Sequence, residues 1–278
     1  MKPLLDFSLF EISSLTEKSF DELMEPLRVA LDRAITRQSD YPKLVALFST
    51  ILYFGFDVIR VGMTHDPIVY ENTLKMLEDC LNKILDLITQ HLFADAAATS
   101  VLDVLPNESS DPQSRNICTQ INTHFGQLKE HRIPFPVINL IKSNICNWFD
   151  VSFFNKYVDE DLMNDESADK LFKKICLIRT LYDHQSVTFP KCDDVIKKTR
   201  MLLRDPRSIA SEEPSPLLRL IASKIHPLQL PRGMTIDSFG PVGEASQFKI
   251  DMNNTNTKNV KFDDILKSDP TYLYDSRS

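Results

Sequence analysis

The sequence has 278 residues and only six glycines, about a third of the usual ~7%. Because glycine supplies the positive φ angles of phosphate-binding loops and tight hairpins, this count favours helices and disfavours nucleotide-binding α/β folds. The formal net charge of -7 argues against non-specific nucleic-acid binding, which needs a basic surface.

The first predicted element follows a loosely attached lead-in, residues 1–15. A helix capped by Thr16 or Ser19 is predicted to run to about Gln38, because apolar side chains recur there at steps of three and four. Pro26 lies inside this pattern and is tolerated only in a first helical turn, so the sequence leaves two interpretations: the main helix begins near Met24, or the segment is broken at Pro26.

Two further helices are predicted before the middle of the chain. The segment Pro42–Arg60 is apolar on nearly all sides, which is typical of an interior helix. The segment Ile68–Phe93 is amphipathic, with a leucine and isoleucine stripe opposite charged residues. The polar, proline-containing residues 104–115 are predicted to be a mobile loop.

The centre of the sequence predicts a pair of helices joined by a Pro-Phe-Pro corner. The first ends near Glu130, and the second, which ends near Val158, is apolar on most of its circumference and carries Trp148, the only tryptophan. Such a helix is typical of a core, so we expect it to be buried among the others with Trp148 as an anchor.

Shorter helices are predicted in the C-terminal half. In chain order, the sequence indicates an acidic link at Asp159–Glu166, a helix capped by Ser167 and running through Asp183, a helix from Asp193/Asp194 to about Arg204, a helix from Ser215-Pro216 to Ile225, an irregular segment 227–261 and a short helix at Phe262–Leu266. The predicted fold is therefore all-α, an elongated bundle of about nine helices over 16–226 with an irregular C-terminal wrapping segment over 227–278.

No catalytic, cofactor-binding or metal-binding residue is proposed from the sequence. It contains no GxxxxGK[ST], GxGxxG, GxSxG or HExxH motif. His124 and His131 have no carboxylate at ligand spacing, and we interpret them as solvated or hydrogen-bonded. The acidic group Asp159–Asp161 with Asp165 and Glu166 lacks the glycine and ligand alternation of a calcium loop, so we interpret it as a solvated turn.

The cysteines and the N-terminus indicate a cytoplasmic protein. The five cysteines are scattered without CxxC spacing, as Cys80, Cys118, Cys146, Cys176 and Cys192, which is typical of a reducing compartment. The N-terminal residues are too few and too acidic for a signal peptide, and no uninterrupted apolar run has the ~18 residues of a transmembrane helix. We expect no transmembrane segment.

One basic run, residues 197–207 (KKTRMLLRDPR), admits two interpretations. It could bind phosphate, an anionic membrane or an acidic partner. Alternatively, it is an ordinary helix whose Ile196, Met201, Leu202 and Leu203 are packed while its cations face water. The acidic net charge of the chain favours the ordinary helix.

The central pair resembles the dilute domain, the cargo-binding globular tail of class V myosins. The segment FGQLKEHRIPFPVINLIKSNICNWFDVSFFNKYV follows the family's order of helix, corner and helix, and Trp148–Asn155 resembles its aromatic-polar-Val-x-Phe-x-Asn end. Lys173–Leu181 and Phe248–Ile265 resemble later family segments, so the likeness is clearest over 125–265. The short link Asp159–Glu166 replaces a glycine-containing segment and a leucine-rich helix, and no motor region is present in the sequence.

The resemblance implies a helical module that docks segments of organelle receptors, adaptors or cytoskeletal components, without catalysis. Attachment to organelles or the cytoskeleton would follow. Two alternatives stay open: a helical subunit of a vesicle-tethering or other multi-subunit complex, which predicts a large exposed apolar patch, and a helical enzyme, which needs a pocket with inward carboxylates or histidines. The sequence does not indicate an oligomeric state.

Overall fold

Every regular element in the described part of the chain is an α-helix or a 3₁₀ turn. The computed structural model describes residues 17–38, 40–62, 67–98, 112–182, 188–211, 215–225, 228, 230, 232–233, 235–251 and 257–273. The predicted lead-in 1–15 and most of the predicted loop, residues 104–111, lie outside these ranges. The all-α prediction is confirmed.

Ten α-helices occur in these ranges, and the shortest has four residues. In chain order they are α1 Glu17–Thr36, α2 Tyr41–Gly62, α3 Pro67–Ala98, α4 Pro112–Glu130, α5 Phe135–Asp159, α6 Asp165–Leu181, α7 Pro190–Arg204, α8 Ser208–Ser211, α9 Pro216–Lys224 and α10 Phe262–Ser268. Short 3₁₀ turns lie at Ile236–Phe239, Ala245–Gln247 and Pro270–Leu273.

The chain forms two compact units, each made of segments distant in sequence. The first contains the described residues of Met1–Ala94, Thr119–Ile141 and Lys258–Ser278, and the second those of Asp95–Cys118 and Lys142–Thr257. Helix α5 contributes residues to both.

In the first unit, α2 is an interior helix, as its apolar circumference predicts. Thirteen of its side chains are buried: Tyr41, Leu44, Val45, Leu47, Phe48, Ser49, Ile51, Leu52, Tyr53, Phe54, Phe56, Val58 and Ile59. Over Tyr41–Arg60 this helix is long and apolar enough to cross a membrane by length and composition, with a mean hydropathy of 1.5, yet 72% of that window is buried inside the structure. A core helix passes the same test.

The C-terminal helix α10 also belongs to the first unit. Phe262 is buried with its ring against Gly55 of α2, and its backbone N–H donates to Glu78 Oε1 at 2.8 Å. Asn82 exchanges two hydrogen bonds with the backbone of Val260, one to its N–H at 2.7 Å and one to its carbonyl at 3.3 Å. These contacts fasten the irregular segment to α2 and α3.

In the second unit, the C-terminal part of α5 is buried along most of its length. Its fully buried rings are Phe149 and Phe153, which lie 5.6 Å apart, whereas Trp148 is only half-buried. The Asn155 side chain donates to the Ile250 carbonyl at 2.8 Å and accepts the Ile250 N–H at 2.9 Å. Asn82 makes the same pair of bonds with the backbone of Val260 in the first unit.

Several predicted boundaries were wrong. Helix α1 continues through the exposed Pro26, and residues 112–115 are helical rather than looped. Helix α6 is capped by Asn164, whose Oδ1 accepts the Ser167 N–H at 2.8 Å, while Ser167 Oγ accepts the Asn164 N–H at 2.9 Å in a reciprocal capping box. Helix α7 begins at Pro190, because its first amides are bound by a carboxylate from α5.

Candidate protein-binding surface

Three cations of the basic run lie on one stripe of α7, in the second unit. Asp193, Lys197, Arg200, Met201 and Arg204 recur at steps of three and four, so they share a face of the helix. The buried residues of α7 lie on a different face and are Cys192, Val195, Ile196, Thr199 and Leu202. The packing of α7 therefore presents its cations together.

Helix α6 adds an exposed aromatic side chain to this surface. Phe172 is 42% exposed, because the buried stripe of α6 uses Leu171, Ile175 and Ile178 instead. The guanidinium of Arg200 lies over the Phe172 ring at 5.6 Å from its centroid. Arg200 also bonds Asp169 of α6, and this pair holds the two helices in register at the surface.

Between these side chains lies an open groove of about 680 Å³, which we name the α6–α7 groove. Its apolar lining comes from Phe172, Ile196 and Met201, and its cations are Lys197, Arg200 and Arg204. The volume falls in the range of ~300–1,000 Å³ typical of ligand sites. The groove can therefore accept a ligand side chain together with neighbouring polar groups.

The charges on α7 oppose those of the whole chain. The helix carries five cations and two carboxylates, a net charge of +3, whereas the protein has -7. Lys198 is paired with Asp194, and Arg200 with Asp169. Lys197 and Arg204 are both exposed, and no described carboxylate lies within ion-pair distance of either one.

The two carboxylates in the groove already have partners within the chain. Asp193 lies 3.5 Å from the guanidinium of Arg179, and Asp205 Oδ1 accepts the backbone N–H of Arg207 at 3.0 Å. Both carboxylates remain exposed, so the groove presents three cations and two carboxylates, a net charge of +1.

A second, smaller groove of about 290 Å³ lies between α5 and α6 in the same unit. Phe153, Tyr157 and Leu171 are buried at its floor, and three lysines and Glu160 line its sides. Lys170 is paired with Glu166 at 2.7 Å, and Lys174 lies 5.9 Å from the centre of the Phe153 ring. These lysines contact groups of the protein itself, so this groove is the weaker candidate.

Metal-ligand clusters and titratable side chains of shifted pKa are the features expected of a catalytic site. In the described ranges no three His, Cys, Asp or Glu side chains are grouped as metal ligands. Burial raises the pKa of the Cys80 thiol to about 11 and that of Cys146 to about 12, so both thiols stay protonated near neutral pH and are poor nucleophiles. Burial also raises the pKa of Glu78, but this carboxylate binds the backbone of α10.

The acidic residues and histidines singled out in the sequence lie in ordinary contacts. Asp159 is paired with Lys249 at 2.7 Å, and Asp165 lies 3.9 Å from Arg200. The His124 ring packs edge-on against Tyr41 at 4.5 Å, and the backbone carbonyl of His131 accepts a hydrogen bond from Ser49.

For the basic run, the ordinary-helix interpretation was correct for Ile196 and Leu202, which are buried, but Leu203 is 36% exposed. Phe172 was missed by the sequence analysis. The signal that could have found it is its position one residue after the buried stripe of α6, about 100° around the helix.

Comparison of the whole chain with protein-family models, with curated proteins and with solved structures gives no match.

Proposed function

We propose that this protein is a non-catalytic interaction module similar to a dilute domain, which docks segments of receptors or adaptors and attaches them to organelles or the cytoskeleton. The observation that carries the proposal is the exposed Phe172 ring in a groove flanked by Lys197 and Arg204. We place this activity in the cytoplasm.

An exposed aromatic ring beside arginine is the usual composition of an interface hot spot. Covering a ring of this size removes apolar surface from water, and full burial of a phenylalanine contributes about 1.5–3 kcal/mol. The adjacent cations add orientation and selectivity, because charged pairs at an interface set which partners bind and how fast they associate.

The two alternative functions, a tethering-complex subunit and a helical enzyme, each require a surface feature different from this groove. A subunit of a tethering complex would expose a broad apolar patch. The large exposed apolar side chains in the described ranges are four: Phe135, Leu162, Phe172 and Leu203. A helical enzyme would need convergent acid and base groups, and the groups with raised pKa discussed above have structural partners or are protonated thiols.

The test is affinity capture from the source cells with three immobilised chains: wild type, Phe172→Ala and Leu162→Ala. Leu162 is the matched control, since it is 46% exposed against 42% for Phe172 and does not line the α6–α7 groove. We expect Phe172→Ala to lose partners that the other two chains retain, as identified by mass spectrometry. Identical sets of captured proteins from all three chains would contradict the proposal.

A further inference from the structure

We propose that the ligand of the α6–α7 groove is an acidic protein segment with one apolar anchor side chain. Its carboxylates would pair with Lys197 and Arg204, and its anchor would pack on Phe172 and Met201. This inference rests on the proposed function and adds the chemistry of the partner.

The spacing of the cations defines the spacing of the partner's charges. Lys197 and Arg204 are two helical turns apart on one face of α7, about 10 Å along the axis. Carboxylates two turns apart on a partner helix match this distance. A side chain three or four residues after the first carboxylate lies on the same face of that helix, between the charges, and can reach the Phe172 ring.

The charge distribution favours a segment that is locally acidic. The groove lining carries three cations and two carboxylates, a net charge of +1, while the chain as a whole has -7 and repels an extended anionic surface. An anionic bilayer presents its charge as a broad plane that cannot enter a concave site. A single peptide segment can enter the groove and avoid most of the repulsion, so we assign the ligand to proteins.

The experiment uses the full chain and synthetic peptides labelled with fluorescein. The acidic peptide repeats Asp or Glu at every third or fourth position around one Leu or Phe. One control peptide replaces the acids with Lys, and a second replaces the apolar residue with Ser. Fluorescence anisotropy at low and physiological salt measures affinity, and vesicles of phosphatidylcholine with phosphatidylserine test the membrane alternative in a sedimentation assay.

The variant K197E/R204E reverses the groove charge, and K129E/K267E makes the same change of net charge at exposed lysines that lie outside α6 and α7 and do not line the groove. We expect K197E/R204E to weaken binding of the acidic peptide by about 10- to 100-fold and to bind the lysine peptide instead. The control variant should keep wild-type affinity to within about threefold, since its substitutions leave the groove cations in place and salt screens exposed charges that are not in contact. Circular dichroism checks that both variants fold.

Three results would overturn the inference: no saturable binding of the acidic peptide to wild type at low salt, equal loss of binding in both variants, or binding to the anionic vesicles alone. Each is distinct from failure of the proposed function. If Phe172→Ala loses captured partners while the acidic peptide does not bind, the docking function stands and the acidic ligand does not.

Discussion

Gly55 shows how one residue can determine a long-range contact. A Cβ atom at this position would lie 2.0 Å from Cζ of Phe262, well inside van der Waals contact, so only glycine lets the ring pack against the α2 backbone. Gly126 lies in α4, also within a helix, but a Cβ there meets no atom within 4 Å. The same substitution therefore has opposite consequences at the two sites.

We predict that Gly55→Ala lowers the free energy of unfolding by about 1–3 kcal/mol through overpacking. Gly126→Ala is expected to raise it by up to about 1 kcal/mol, because alanine has the higher helix propensity. Urea unfolding followed by circular dichroism measures both. A stabilising Gly55→Ala would show that the Phe262 ring does not lie where the structure places it.

Glu78 is a second single residue with a testable effect: we predict that it makes the free energy of unfolding depend on pH. Burial raises the pKa of this carboxyl above its ordinary value of 4.5, and the hydrogen bond from the Phe262 N–H offsets only part of that shift. A raised pKa means that folding takes up protons here. The contribution of Glu78 is therefore fully present below the ordinary pKa of 4.5 and is lost as the pH rises from there through the folded pKa.

Glu78→Gln keeps an oxygen acceptor for the Phe262 N–H but does not titrate. We expect its stability relative to wild type to increase as the pH rises from about 4.5 toward neutrality. Urea unfolding of both chains across that range cancels the titrations that they share. A stability difference that stays constant or decreases over the range would contradict the assignment.

Among the helices, α7 depends on a cap supplied from outside itself. Its own N-cap, Phe189, makes no side-chain hydrogen bond. Instead, Asp150 of α5, which is 1% exposed, accepts the N–H of Cys192 at 2.9 Å and that of Lys191 at 3.2 Å. This carboxylate satisfies two donors that the first turn of a helix leaves unpaired and complements the helix dipole.

We predict that Asp150→Ala destabilises the protein by about 3 kcal/mol, because it leaves two buried amides unsatisfied. Asp150→Asn retains one acceptor and should be less damaging. Thermal unfolding gives the ranking, and hydrogen exchange locates the loss at the start of α7. Equal stability of the alanine and asparagine variants would argue against the capping role.

The starts of helices α6 and α7 also show how far the sequence could predict the structure. Apolar periodicity was enough for the existence and the buried stripes of α2, α3, α5 and α6, because that period depends only on local spacing. It placed the start of α7 at Asp193 rather than Pro190, since the cap comes from Asp150, 40 positions earlier. Likewise, Ser167 was predicted as the cap of α6 because serine is a favoured cap, yet Asn164 supplies it.

The candidate site was less predictable than the helices. The cations of α7 were visible as a basic run, but their neighbour Phe172 comes from another helix. Periodicity gives the direction of a side chain relative to its own helix and not which second helix lies beside it. The packing of α6 against α7 belongs to the tertiary structure, so the sequence of either helix alone could not predict the groove.

At the scale of the whole molecule, each compact unit is closed by segments that are remote in sequence. In the first unit, the C-terminal residues Val260, Phe262 and Ile265 are buried against helices from the beginning of the chain. Each buried side chain of this size contributes about 1.5–3 kcal/mol. Their sum is comparable with the total stability of a typical domain, about 5–15 kcal/mol.

A chain that ends at Thr257 is therefore expected to lose much of the protection of the α2 and α3 amides in hydrogen exchange. A chain that ends at Leu273 is the matched control, because it keeps α10 and should retain the protection of the full chain. Unchanged protection in the shorter chain would mean that α10 does not stabilise this unit.

We propose that the α6–α7 face binds protein partners. The most direct measurement is hydrogen–deuterium exchange of the wild-type chain, free and bound to a protein whose capture depends on Phe172. If the partner binds at this face, the amides of Asp165–Leu181 and Pro190–Arg204 are expected to exchange more slowly in the complex than in the free chain. Protection confined to other helices, with no change in these two, would contradict it.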